Sequence, residues 1–86
     1  MGEYTVTFTH SAQKELGKLS YDLEGRILRK INQLKKNPRP SGCSKLKMNE
    51  ELWRVRVGDY RIIYAIDDER KAVDIGQVRH RRNAYE

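Results

Sequence analysis

Tyr4-Thr5-Val6-Thr7-Phe8 alternates polar with β-branched and aromatic side chains, which predicts a first strand with one buried face. Thr9, His10 and Ser11 offer helix-capping chemistry. Ala12, Leu16 and Leu19 fall on one helical stripe, so a short helix follows, weakened by Gly17. Ser20 can cap a second, longer helix. There Leu23, Ile27, Ile31 and Leu34 recur at spacings of four, four and three and form one apolar face, which Leu28 widens. The opposite face carries Glu24, Arg26, Arg29, Lys30, Lys35 and Lys36. Asn37-Pro38 stops this helix, because a residue before proline is pushed out of the α region. The short connection predicts an antiparallel helical hairpin.

Arg39 to Cys43 reads as loop, and Ser44 to Met48 places Lys45 and Lys47 around Leu46. Three strand-like runs follow, Leu52–Val57, Tyr60–Ile66 and Ala72–Val78, with a charged turn at Asp67–Lys71. The polar tail Arg79 to Glu86 ends the chain. The order β-α-α-β-β-β predicts an α+β fold in a single domain, residues 1–86, with two N-terminal helices covering one face of an antiparallel sheet.

Val57-Gly58-Asp59-Tyr60 fits a two-residue hairpin loop with glycine at its first position, as in a type II′ turn. That turn sets Val57 opposite Tyr60, Val55 opposite Ile62 and Trp53 opposite Tyr64, all on one apolar face. The other face then carries Arg54, Arg56 and Arg61, with Arg56 directly opposite Arg61. Like charges in direct opposition destabilise a sheet by roughly 0.2–1 kcal/mol per pair. Folding gains nothing from this arrangement, whereas a docked polyanion would reverse its sign. Arginine on a solvent face is nonetheless ordinary, and Glu50, Glu51 or Asp74 can pair with it.

The net charge is +6 and the pI about 9.7, which points to an acidic partner: nucleic acid, an anionic membrane or an acidic protein. Aromatic residues close to arginines suit RNA, whose bases stack on rings and guanidinium planes. At 86 residues the core is thin, so a flat or grooved site is expected rather than an enclosed cavity. The lone Cys43 excludes an internal disulfide and carries no catalytic spacing. No signal peptide is visible and no apolar run approaches the roughly 20 residues that span a bilayer, so a cytoplasmic protein without a membrane partner is expected. Considered alone, Arg79-His80-Arg81-Arg82 reads as a frayed basic terminus. Pairing of the last strand with Tyr60–Ile66 would instead bring it to the hairpin and complete a concave basic site with a histidine and Tyr85.

Leu46-Lys47, the run Trp53-Arg54-Val55-Arg56-Val57-Gly58-Asp59-Tyr60-Arg61-Ile62-Ile63-Tyr64 and the ending Val78 to Tyr85 together resemble the RelE/ParE toxin superfamily. Phe8 to Ala12 and Asn37-Pro38 fit its layout, so the similarity covers nearly the whole chain. The resemblance implies a RelE-like fold and a toxin that cleaves mRNA in the ribosomal decoding site. In such toxins the ribose 2′-hydroxyl attacks the adjacent phosphate, leaving a cyclic phosphate and a 5′-hydroxyl, without metal or other cofactor. It further implies an acidic RelB-like antitoxin covering the basic face.

By position, Arg61 matches the family arginine that stabilises the reacting phosphate, Arg81 the tail arginine that serves the leaving oxygen, and Tyr85 the tyrosine that stacks on a base. Lys45, Lys47, Arg54, Arg56, Arg79 and Arg82 are the expected RNA and phosphate contacts. Arg54 and Arg56 stand where the best-known RelE has lysines. Arginine is effectively always protonated, so they are clamps rather than bases. The group that takes the 2′-hydroxyl proton stays open: His80 is the natural candidate, Lys47 and Glu51 weaker ones. Other members of the superfamily suggest two alternatives, a ParE-like toxin that binds DNA gyrase and an inactive member that binds only antitoxin or RNA.

Overall fold

The computed structural model describes residues 3–46 and 51–81. Strand β1 (Thr5–Phe8) leads into helix α1 (His10–Gly17), capped by Thr9, whose hydroxyl oxygen accepts the Ala12 N–H at 3.1 Å. Helix α2 (Tyr21–Lys36) is capped by Ser20, whose hydroxyl accepts the Leu23 N–H at 3.3 Å. Asp22 and Glu24 in its first turn and Lys35 and Lys36 in its last complement the helix dipole. Asn37 leaves the helix in an extended conformation, as a residue before proline should. Strands β2 (Ser44–Lys45), β3 (Leu52–Val57), β4 (Tyr60–Asp67) and β5 (Ala72–His80) complete one five-stranded sheet of order β1-β5-β4-β3-β2.

The α+β class and the β3-β4-β5 meander agree with the sequence pattern. Three details differ. β1 joins the sheet parallel to β5, so the sheet is not wholly antiparallel. Alternation in Tyr4–Phe8 specifies a buried face but neither a partner nor a direction. β2 is an added edge strand, too short to leave a periodic signal. β5 runs to His80, two residues past the apolar pattern, because Arg79 and His80 pair with Arg61 and Tyr60 of β4. A register shift between Ile63 and Tyr64 leaves Gly76 as an extra residue on β5, which resets the alternation. Ile75 and Val78, three apart, therefore both reach the core at 0% exposure.

The core lies between the helices and one sheet face: Ile27 and Leu34 of α2 meet Ile62, Tyr64, Val73 and Ile75. Leu28, expected to widen the buried stripe, is 42% exposed. One position on from Ile27, it turns away from the sheet. The Tyr64 ring is fully buried, and its hydroxyl donates to the Pro38 carbonyl at 2.7 Å, fastening the end of α2 to the sheet centre.

At the β4–β5 turn, Arg39 donates two hydrogen bonds to Asp68, at 3.2 and 2.9 Å, and the Tyr4 hydroxyl donates a third at 2.7 Å. These bonds, Arg39's first, hold the Asp68 carboxyl down to about 2. A carboxyl held low in the folded state favours folding above its unfolded value of about 4 and loses that contribution as pH falls toward 2. Thermal unfolding followed across this window should show a drop in midpoint that Asp68→Asn flattens. An equal acid-induced drop in Asp68→Asn would assign the effect to other carboxylates.

Candidate functional site

The β3–β4 register is Val57↔Tyr60, Arg56↔Arg61, Val55↔Ile62, Arg54↔Ile63 and Trp53↔Tyr64, as the two-residue turn requires. Gly58 has φ +58°, whereas Asp59 is not in the positive region, consistent with a type II′ loop. A side chain at Gly58 meets a second obstacle, since a Cβ there would lie 3.1 Å from Nη2 of Arg26, which α2 brings over the turn. Gly58→Ala should therefore cost about 1–3 kcal/mol, measured by denaturant unfolding. An unchanged midpoint would mean that the turn relaxes to another type.

Alternation sends Val55, Val57 and Ile62 into the core and leaves Arg54, Arg56 and Arg61 on the open face of the sheet. β5 adds Arg79, whose Cα partner is Arg61. The backbone continues the ladder: the Arg81 N–H donates to the Asp59 carbonyl at 2.7 Å, so the start of the tail is fixed to the turn. Arg81 Nη1 lies 3.9 Å from Asp59 Oδ1. Arg56, Gly58, Asp59, Tyr60, Arg61 and Arg81 line a shallow depression of about 310 Å³.

Arg54 feels both its burial and the neighbouring cations. Burial first, then the neighbouring Arg61 and Arg56, pull its pKa below the ordinary arginine value. Its Nε donates to the Ser44 hydroxyl at 3.1 Å. Such a surface is preset for phosphate oxygens, which guanidinium groups hold bidentately.

The structure thus gathers Arg54, Arg56, Arg61, Arg79 and Arg81. It does not place the other described candidates with them. Lys45 pairs with Trp53, its Nζ 5.5 Å from the ring centre, on the helix side of the sheet. His80 pairs with Tyr60 on that same side, ring edge to face at 5.2 Å, because positions 79 and 80 face opposite ways, and with Arg79 and Tyr60 it lines a neighbouring depression at the edge of β5. Glu51 and Asp74 line a separate depression with Asp67 and Asp68 at the other end of the sheet. Lys47, Arg82 and Tyr85 lie outside the described residues. The sequence pattern by itself marks neither Arg26 nor Asp59 as part of the site. Arg26 reads there as one more charge on the polar side of α2, and only packing shows that it overhangs the turn.

Two helices on one face of a small, mostly antiparallel sheet is a fold shared with solved RelE-like chains. Toxin RelG of Mycobacterium tuberculosis is 32% identical over 95% of this chain and 95% of its own. The M. tuberculosis toxin–antitoxin complex RelBE2 contains a chain that superposes with a TM-score of 0.80 at 31% identity, covering 91% of this chain and 98% of that one. The archaeal RelE–RelB complex of Pyrococcus horikoshii gives a TM-score of 0.82 at 29% identity, covering 95% and 99%. The family model described as the ParE toxin of the type II toxin–antitoxin system, parDE, matches residues 6–85, and the chain belongs to this RelE/ParE toxin family. Among the described residues no helix is long and apolar enough to cross a membrane.

Proposed function

We propose that this toxin is a metal-independent endoribonuclease of the cytoplasm that cleaves mRNA in the decoding site of the ribosome. The observation that carries the reading is the open sheet face with Arg54, Arg56, Arg61 and Arg79, where Arg56, Arg61 and Arg81 line one depression. Arg61 stabilises the charge that develops on the phosphate as the 2′-hydroxyl attacks, and Arg81 serves the leaving 5′-oxygen. Arg54, Arg56 and Arg79 hold flanking phosphates. Fixed donors aimed at developing charge are the largest single contribution in many such reactions. The partner that restrains the toxin is an acidic RelB-like antitoxin laid over the arginines; a partner of this class is supported by two similar structures, which are a toxin–antitoxin complex, RelBE2, and a RelE–RelB complex.

Primer extension on translated mRNA after induction tests the reading. Discrete cuts within codons support it. The ParE description of the family model favours a second reading, a toxin that binds DNA gyrase. Induced DNA damage without mRNA cuts would establish that one and exclude the first.

A further inference from the structure

An attacking 2′-hydroxyl must lose its proton to a group within hydrogen-bond reach, about 2.6–3.2 Å. The arginines cannot accept it. His80 is turned to the helix side against Tyr60, and Glu51 lies with the acidic residues at the far end of the sheet. Among the described residues lining the arginine depression, Asp59 supplies the one carboxylate.

Asp59 is built into the site rather than merely near it. It occupies the second position of the hairpin loop, where Gly58 takes the strained conformation and leaves Asp59 an ordinary one. Its carbonyl fixes the Arg81 backbone, and its carboxylate lies beside the Arg81 guanidinium, with 68% of the side chain exposed to an incoming ligand. The charged groups around it are Arg81 from the tail, Arg56 from β3 and Arg61 from β4, with Arg26 of α2 over the turn. Tyr60 is the neighbouring titratable group. Arg56 and Arg61, the phosphate-holding residues of the reading above, line the same depression as Asp59.

We infer that Asp59 is a catalytic residue, the base that takes the proton from the attacking 2′-hydroxyl; this rests on the ribonuclease reading above. The O2′–H proton passes to an Asp59 carboxylate oxygen as the O2′ electron pair forms the bond to phosphorus. The P–O5′ bond breaks with its electron pair on O5′, which Arg81 stabilises and a solvent water protonates. The products are a 2′,3′-cyclic phosphate and a 5′-hydroxyl, and Asp59 returns its proton to solvent.

The test is single-turnover cleavage of a defined mRNA on programmed ribosomes by wild type, Asp59→Asn and Asp59→Glu. Asparagine suits the turn and keeps the carbonyl that holds Arg81. Asp59→Asn is expected to slow cleavage about 10²–10⁴-fold. Ribosome binding and unfolding midpoint should hold, and the rise of rate with pH on the acid side should disappear. Asp59→Glu should recover part of the rate. Cleavage by Asp59→Asn at the wild-type rate, or with the wild-type pH profile, would overturn the assignment and leave Asp59 as a support for Arg81. So would a loss confined to ribosome binding. Wild type that cleaves nothing defeats the ribonuclease reading as well, which distinguishes the two failures.

Discussion

Arg61→Ala will abolish growth arrest while the protein still folds. Removing one donor that stabilises a developing oxyanion costs about 10²–10³ in rate. Arg61 stands at the centre of the arginine face, with Arg56 as its neighbour on one strand and Arg79 on the other. On the ribonuclease reading, its loss therefore weakens phosphate binding from both sides. The same position explains why folding should survive: two like-charge pairs are relieved, each worth roughly 0.2–1 kcal/mol. Arg81→Ala is expected to be similarly inactive, since Arg81 lines the depression. Colony counts after induction, with unfolding midpoints measured in parallel, check both. Full toxicity of both variants would show that the chemistry lies elsewhere. A collapse of the Arg61→Ala midpoint would show that this side chain is structural.

Tyr64→Ala carries the largest expected effect on stability. Among the described residues Tyr64 is the largest fully buried side chain, at the centre of the sheet between Trp53 and Ile75. Truncating a buried aromatic ring to alanine costs about 3–5 kcal/mol, and the Pro38 carbonyl also loses its donor. Against a total of roughly 5–15 kcal/mol for a small domain, this should leave a substantial unfolded fraction at 37 °C. Tyr64→Phe separates the two contributions, keeping the ring and losing only the hydrogen bond, for about 1–3 kcal/mol. Denaturant unfolding of both variants measures the split. Equal costs would mean that the ring itself contributes little.

Much of this architecture is legible along the chain because it is written in local terms. Leu23, Ile27, Ile31 and Leu34 mark α2 by their period, and Ser20 and Asn37-Pro38 mark its ends. Gly58-Asp59 sets the hairpin register, and that register alone puts Arg56 opposite Arg61. The bulge at Gly76 had no such marker, since glycine in a strand pattern is compatible with several roles. The extension of β5 to His80 depends on β4 as a partner, which no residue of the tail encodes by itself.

The candidate site divides in the same way. That arginines share a face follows from the alternation of a strand and the length of a turn, both local properties of Trp53 to Tyr64. Which groups join them is a matter of tertiary structure. Arg79 reaches the cluster and His80 leaves it because β5 pairs with β4 in one register, and a strand sends successive side chains to opposite faces. Arg26 reaches the turn because α2 packs across the sheet, and Arg81 meets Asp59 through a backbone bond between segments distant in sequence. The chain alone thus determined the helices, the hairpin with its loop carboxylate and the sign of its exposed face, whereas long-range pairing decided which further basic residues stand beside it.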